Sequence, residues 1–385
     1  MAEIQEILKV CVQHGASDII LVPGEPPVAR LSGSLRKLTS VPPADVAECK
    51  RWIYSLLNDT QKATFEAKRD LDCAFALPGV GRFRLNVFMQ NNGPSAALRV
   101  ITTKIPTPEE IKLSKPIQDL AHTPRGLVLV TGPTGSGKTT TLAAIIEMIN
   151  ATQAKHILTV EDPIEFSYQN KMSVVDQREV GIHTETFKTA LKYSLRQNPD
   201  VILIGEMRDA ETIGMALSAA ETGHLCFSTL HTNDAPSTID RIIDEFPHEM
   251  QNKIRAQLAT VLVGVVSQVL VPKKGGQGRV CAREFMAMNT GIASQIREGK
   301  IHQLYGCIES GADQGMISMD QSLVQLLKED LITIEDALKK AHDPDSLKKL
   351  YKLHGGGQAS TADLSDPLAM AAMNELNAKL AGSSR

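Results

Sequence analysis

Apolar residues at Ile4, Ile7, Leu8 and Cys11 recur at helical spacing, which predicts a first helix stopped by Gly15. Residues 17–22 then read as a strand, 23–27 as a turn, and 43–57 and 60–67 as two further helices. From Gly81 to Met89 apolar and polar positions alternate except at Phe88. A strand with that period turns Phe83, Leu85, Val87 and Met89 to a core and places Arg82, Arg84 and Asn86 on its other side. Residues 96–101, which include Arg99, are its predicted partner. Three prolines and several charges between positions 102 and 116 mark a boundary.

Beyond that boundary strands and helices alternate: strands at 126–131, 156–160, 201–204 and 224–229, and helices from 139 and over 186–196 and 210–221. This order predicts an α/β domain with a mainly parallel sheet and ligand chemistry at the carboxyl ends of its strands. After Pro247 the pattern reads as helical, interrupted by a glycine-rich turn at 273–278, with helices at 319–329, 333–341 and 344–353. A tail begins at Gly355-Gly356-Gly357. It reads as disordered, or as a docking helix opening at Asp366-Pro367 with Leu368, Ala372, Leu376 and Leu380 on one face.

Composition narrows the classes. The 385 residues suffice for two cores, and a net charge of −3 gives no electrostatic footprint for nucleic acid. The longest mainly apolar run, 261–271, is too short to span a bilayer, and the amino terminus lacks the basic-then-apolar order of a signal peptide, so a cytoplasmic location is expected. The six cysteines never form C-x-x-C, which argues against a zinc or disulfide framework.

The central chemistry lies in Gly132-Pro133-Thr134-Gly135-Ser136-Gly137-Lys138-Thr139, which fits G-x-x-x-x-G-K-[ST] between an apolar strand and a helix-compatible segment. Glycines let the backbone curl its N–H groups onto phosphate oxygens, Lys138 adds a point charge for the β- and γ-phosphates, and the Thr139 hydroxyl is a Mg²⁺ ligand. Residues 199–206 form an apolar strand ending in Glu206, which reads as the carboxylate beside Mg²⁺, against the plainer reading of a helix-starting residue. Glu161, Asp162 and Glu165 crowd three carboxylates at another strand end. Such a cluster is either a solvated loop or opposed by a cation, with Glu165 as general base and Glu161 and Asp162 on the metal's water shell. His224 and His231 bracket a strand at a spacing unsuited to zinc; His231, at the carboxyl end, is placed to bond a γ-phosphate. Arg82, Arg84 and Arg99 read either as a solvated sheet face or as a basic surface for a phosphate or a neighbouring subunit.

Taken together, Gly132–Thr140, Glu161-Asp162-Pro163-Ile164-Glu165-Phe166, Gly205-Glu206-Met207-Arg208-Asp209 and Thr222-Gly223-His224 through Leu230-His231-Thr232 strongly resemble the ATPases of type II secretion and type IV pili, and among them the pilus-retraction branch. Gly15-Ala16-Ser17-Asp18 and Pro26-Pro27 extend the resemblance to the amino terminus. It implies a PAS-like α+β domain (1–101), a linker (102–116), a RecA-like P-loop domain with carboxy-terminal helices (117–354) and a tail (355–385). It also implies ATP and Mg²⁺ as cofactors and a homo-hexamer with nucleotide between subunits. The four segments become the Walker A, Asp-box, Walker B and His-box motifs, so that Thr140 and His224 join the nucleotide-binding set and Arg82, Arg84 and Arg99 become candidates to reach the nucleotide. The implied partner is the inner-membrane platform protein of the pilus machine, at whose base the protein would sit peripherally, with a paralogous retraction ATPase as a second partner. The segment 291–298 and Ile20 depart from the branch's usual residues. They leave open an accessory or non-motor role beside that of the retraction motor. A DNA-translocating motor is the weakest alternative.

Overall fold

The computed structural model describes residues 4–31, 34–101, 104–276 and 278–353. The tail at 355–385 and positions 102 and 103 of the expected linker lie outside the described residues. The chain forms two compact units, Met1–Leu127 with Thr139–Ser228, and Val128–Lys138 with Thr229–Arg385.

The first unit opens with α1 (Ile4–Gln13), which buries the four residues its spacing selects. Three strands follow, β1 (Ala16–Leu21), β2 (Val28–Leu31) and β3 (Ser34–Lys37). The second helix, α2 (Val46–Ser55), begins three residues later than the predicted 43, because Asp45 accepts the Glu48 N–H at 2.7 Å and so fixes the start. The third, α3 (Asp59–Lys68), carries a reciprocal cap between Asn58 and Gln61. Then β4 (Asp70–Leu77), β5 (Gly81–Gln90) and β6 (Gly93–Ile101) complete an antiparallel sheet in the order β3-β2-β1-β6-β5-β4. Phe83, Leu85 and Val87 are fully buried in a core shared with Trp52, Ile53 and Phe65. Met89, expected beside them, is 42% exposed. It pairs with Pro94, one step from the turn between β5 and β6, where the covered face of the sheet runs out.

A short α4 (Lys115–Asp119) leads to β7 (Gly126–Thr131) and α5 (Lys138–Thr152), then β8 (His156–Glu161), β9 (Val174–Glu179), α6 (Phe187–Ser194), β10 (Val201–Ile204), α7 (Ala210–Glu221) and β11 (Leu225–Leu230). The first unit also carries the run β11-β10-β8-β9, all parallel. Every residue of β10 and β11 is buried, as expected of strands covered on both faces. At the β9 edge, Asn170 Oδ1 accepts the Val175 N–H at 3.0 Å.

The second unit carries the run β13-β12-β7. After α8 (Ala235–Asp244) and α9 (His248–Val261), the chain does not stay helical as expected but forms β12 (Leu262–Pro272) and β13 (Arg279–Ala287), paired antiparallel from Gly264↔Ala287 to Pro272↔Arg279. Valines at 263, 265, 266, 269 and 271 favour a pleated surface, and the Lys273 N–H donates to the Gly278 carbonyl at 3.1 Å between the two strands. Helices α10 (Thr290–Glu298), α11 (Leu304–Ser310), α12 (Met319–Lys328), α13 (Ile334–Leu338) and α14 (Pro344–Leu353) follow. Leu323 of α12 and Leu347 of α14 pack in one core with Val271 and Ala282 of the hairpin. No helix among the described residues is long and apolar enough to cross a membrane.

Candidate active-site elements

The phosphate loop belongs to the second unit. The chain leaves β7 at Thr131 and turns through Gly132, Gly135 and Gly137, with φ of +140°, +78° and +89°. Glycine adopts such angles without steric cost. Gly132 also has no room for a side chain, since a Cβ there would stand 2.2 Å from the Gln268 carbonyl oxygen and 2.7 Å from Ser136 Oγ. Strand β12 braces the loop. Thr131 Oγ1 donates to Ser267 Oγ at 2.9 Å, and the Gln268 side-chain amide donates to the Ser136 carbonyl at 2.9 Å.

Pro133, Thr134 and Gly135 form an exposed tip, and Thr139 and Thr140 are half-buried in the first turn of α5. Lys138 Nζ donates to the carbonyls of Gly132 at 2.8 Å and Pro133 at 3.3 Å, and stands 3.4 Å from His231 Nδ1. An ammonium can only donate, so Nδ1 is the acceptor in that contact. Ser136 Oγ is buried without a hydrogen-bond partner. That orphaned hydroxyl, three left-handed glycines, a lysine and the amino terminus of a 15-residue helix fit a polyphosphate.

The carboxylates gather in the first unit. Strands β8 and β10 run parallel with Val160 opposite Ile204, so Glu161 and Gly205-Glu206 emerge together at their carboxyl ends. Gly205 makes the approach feasible, because a Cβ there would meet the Val160 oxygen at 3.2 Å and Glu161 Cα at 3.3 Å. Glu161 is buried and accepts from Thr159 Oγ1 at 2.7 Å and from the Gln177 amide at 3.3 Å. Desolvation outweighs those bonds and a further one from the Glu165 backbone, and pushes its carboxyl up to about 7. Asp162 and Glu165, on the same loop, are exposed. Glu206 pairs with Arg208 at 2.7 Å. The hydrogen bond to Glu206, with the fields of Glu206 and Asp162, raises the Arg208 pKa. Among the described residues no three His, Cys, Asp or Glu side chains are grouped to hold a metal by themselves. Mg²⁺ needs no such cage, since it keeps several waters and binds through one or two protein oxygens plus phosphates.

All three candidate arginines have carboxylate partners. Arg82 pairs with Glu179 at 2.5 Å, Arg84 binds Asp72 through two nitrogens at 2.5 and 3.2 Å, and Arg99 meets Asp18 at 3.2 Å. Arg84 has its pKa raised first by the Asp72 bond and further by Asp162 and Glu179, which places it in the field of the carboxylate loop. Arg82 reaches that loop through Glu179, which also accepts the Ile164 N–H at 3.1 Å. Arg99 is largely exposed, beside Asp18 and Arg30. His224 sits at the amino end of β11, the opposite end of the parallel strands from Glu206. Its Nδ1 donates to the Ala219 carbonyl at 2.9 Å, closing the last turn of α7.

Glu179, Arg208 and Gln268 are absent from the sequence-based set of site residues. Arg208 stands inside the Gly205–Asp209 motif. Glu179 ends a strand the periodicity did not show, and Gln268 lies in a stretch read as helical, so neither carries a local signal.

The family model for "Type II/IV secretion system protein" matches residues 1–348. The type IV pilus retraction ATPase PilT of Pseudomonas aeruginosa is 46% identical over 344 residues, spanning 89% of this chain and 99% of that protein. The type IV pilus ATPase PilU of the same organism is 40% identical over 362 residues, 94% of each chain. The crystal structure of the pilus retraction motor PilT with bound ADP superposes with a TM-score of 0.86 at 45% identity, covering 91% of this chain and all of that one. The fold is therefore a PAS-like α+β amino-terminal part followed by a RecA-like P-loop part with a helical carboxy-terminal end.

Proposed function

The chain belongs to the type II/IV secretion system protein family, and from that membership we propose that it is an ATPase whose hydrolysis of ATP powers retraction of a type IV pilus. The observation that carries this reading is the near-complete likeness to a retraction ATPase, in a chain whose phosphate loop keeps every group that phosphate binding needs.

Phosphoryl transfer asks little covalent chemistry of the protein, so positioning and charge carry it. The N–H groups of Gly132 and of Thr134 to Thr140, with the Lys138 ammonium, hold the β- and γ-phosphates, and the Thr139 hydroxyl would be the ligand for Mg²⁺. Mg²⁺, when bound, neutralises and orients the phosphate oxygens. Glu206, Glu161 and Asp162 would order the water shell of that ion. Exposed Glu165 takes the proton of the attacking water, and His231 follows the state of the γ-phosphate through its contact with Lys138. Arg82 and Arg84, the two arginines near the carboxylate loop, have the stronger claim to balance charge on the transferring group. Arg99 and His224, remote from Glu206 on the parallel strands or held in other contacts, have the weaker. Ring formation as a homo-hexamer, docking on the inner-membrane platform protein and depolymerisation of pilin complete the proposal.

Glu206→Gln is expected to abolish ATP turnover while retaining nucleotide binding; unchanged turnover removes Glu206 from the mechanism. An accessory role beside a paralogous motor is favoured by the PilU likeness and by the divergent segment 291–298, which forms most of α10 and buries Ile292, Ala293 and Ile296. Deleting the gene and counting surface pili separates the two. Restoration of retraction by the Glu206→Gln protein would exclude the motor role.

A further inference from the structure

We propose that Glu179 is a positioning residue of the ATPase, one whose single oxygen ties the amino-terminal sheet to the loop carrying Glu161, Asp162 and Glu165. The inference rests on the proposed ATPase reading, and it adds a residue and a coupling to it.

Glu179 Oε2 accepts both the Arg82 guanidinium, at 2.5 Å, and the Ile164 backbone N–H, at 3.1 Å. Arg82 lies on β5 and Ile164 lies between Asp162 and Glu165, so one atom joins two segments far apart in sequence. A carboxylate buried to 3% exposure needs such donors, and both bonds are charge-assisted. The position of Glu179 is itself fixed. Its N–H donates to His183 Nδ1 at 3.0 Å, and its carbonyl accepts the His183 N–H at 2.8 Å in the turn after β9. Strand β9 pairs Glu179 with Glu161, so the residue stands beside the base of the loop it holds. Ile164 is thus held by a buried carboxylate that an arginine of the amino-terminal sheet also reaches. A movement of that sheet that withdraws Arg82 would leave the buried Glu179 without its guanidinium donor, and would loosen its hold on Ile164.

Two variants separate geometry from charge. Glu179→Gln keeps an oxygen at the same reach without the charge, whereas Glu179→Asp keeps the charge but falls one methylene short. The expected result for Glu179→Asp is a kcat lower by about 10- to 100-fold with KM for ATP little changed, as for a displaced catalytic loop. Its Ile164 amide should exchange hydrogen at least about tenfold faster than in the wild type. Glu179→Gln should restore both readings to within about threefold of wild type. Ile164 exchange unaltered by Glu179→Asp overturns the inference, as does a kcat unaltered by it or a glutamine variant impaired as severely as the aspartate. Absence of turnover in the wild-type protein would remove the ATPase reading instead, and the exchange comparison alone would then decide whether Glu179 holds the loop.

Discussion

Adding one methyl group at Gly132 would drive a carbon to 2.2 Å from the Gln268 carbonyl, and neither the loop nor β12 can yield without displacing the other. Gly132→Ala should therefore weaken ATP binding by more than about tenfold, measured by titration with a fluorescent analogue. Gly135→Ala meets no atom within 4 Å and bears only the strain of its φ of +78°, about 1 kcal/mol, so it should bind better than Gly132→Ala. The motif shows that both are glycines; which of them is sterically locked depends on β12, more than 130 positions away. Burial is equally hidden from the sequence. Glu284 is fully buried and accepts the N–H of Ala235 at 2.8 Å and of Met319 at 3.4 Å. Desolvation, with the nearby charges of Asp234 and Asp320, pushes it up to about 7. A carboxyl raised above its unfolded value is no burden below about pH 4.5, where both states are protonated, and costs stability as pH rises through 7. Glu284→Gln, which keeps an acceptor, should gain on the wild type in unfolding free energy as pH rises from about 5 to 8, by up to about 3 kcal/mol. A constant difference across that range would contradict the assignment.

At the scale of elements, the strands and helices that carry motifs were legible because each is long, strongly patterned or bounded by a cap. The strand β10 and the helices α7 and α14 occupy their expected ranges. Strands β2, β3, β4 and β9 were not legible: the first two have four residues each, and β4 and β9 mix charges among apolar positions without regular alternation. The hairpin β12–β13 was lost because a continuous apolar run has no period, and only its valines argued for a strand. That hairpin matters to the chemistry, since Gln268 supports Ser136 from it. Gln268→Ala is expected to raise KM for ATP several-fold more than it lowers kcat, because it loosens the phosphate cradle and leaves the carboxylates untouched. An effect confined to kcat would assign Gln268 elsewhere.

For the whole molecule, the two-part α/β organisation could be read from the composition shift and the strand–helix alternation, and the retraction-branch resemblance from motif order; the relatives and the solved structure bear out both. The pairing of arginines with carboxylates could not, because it depends on which strands become neighbours. Sedimentation with a non-hydrolysable ATP analogue should show a species of six times the subunit mass; a persistent monomer would remove the ring from the proposal. The sheet edge bears on how copies can meet. With the Val175 amide taken by Asn170 and with Asp176 and Arg178 along its length, β9 offers an incoming chain an interrupted row of backbone donors and a charged border. Self-association by strand addition, the route to runaway polymers, is thereby disfavoured. Asn170→Ala would reopen that edge, and light scattering on heating should register aggregation at a lower temperature than in the wild type.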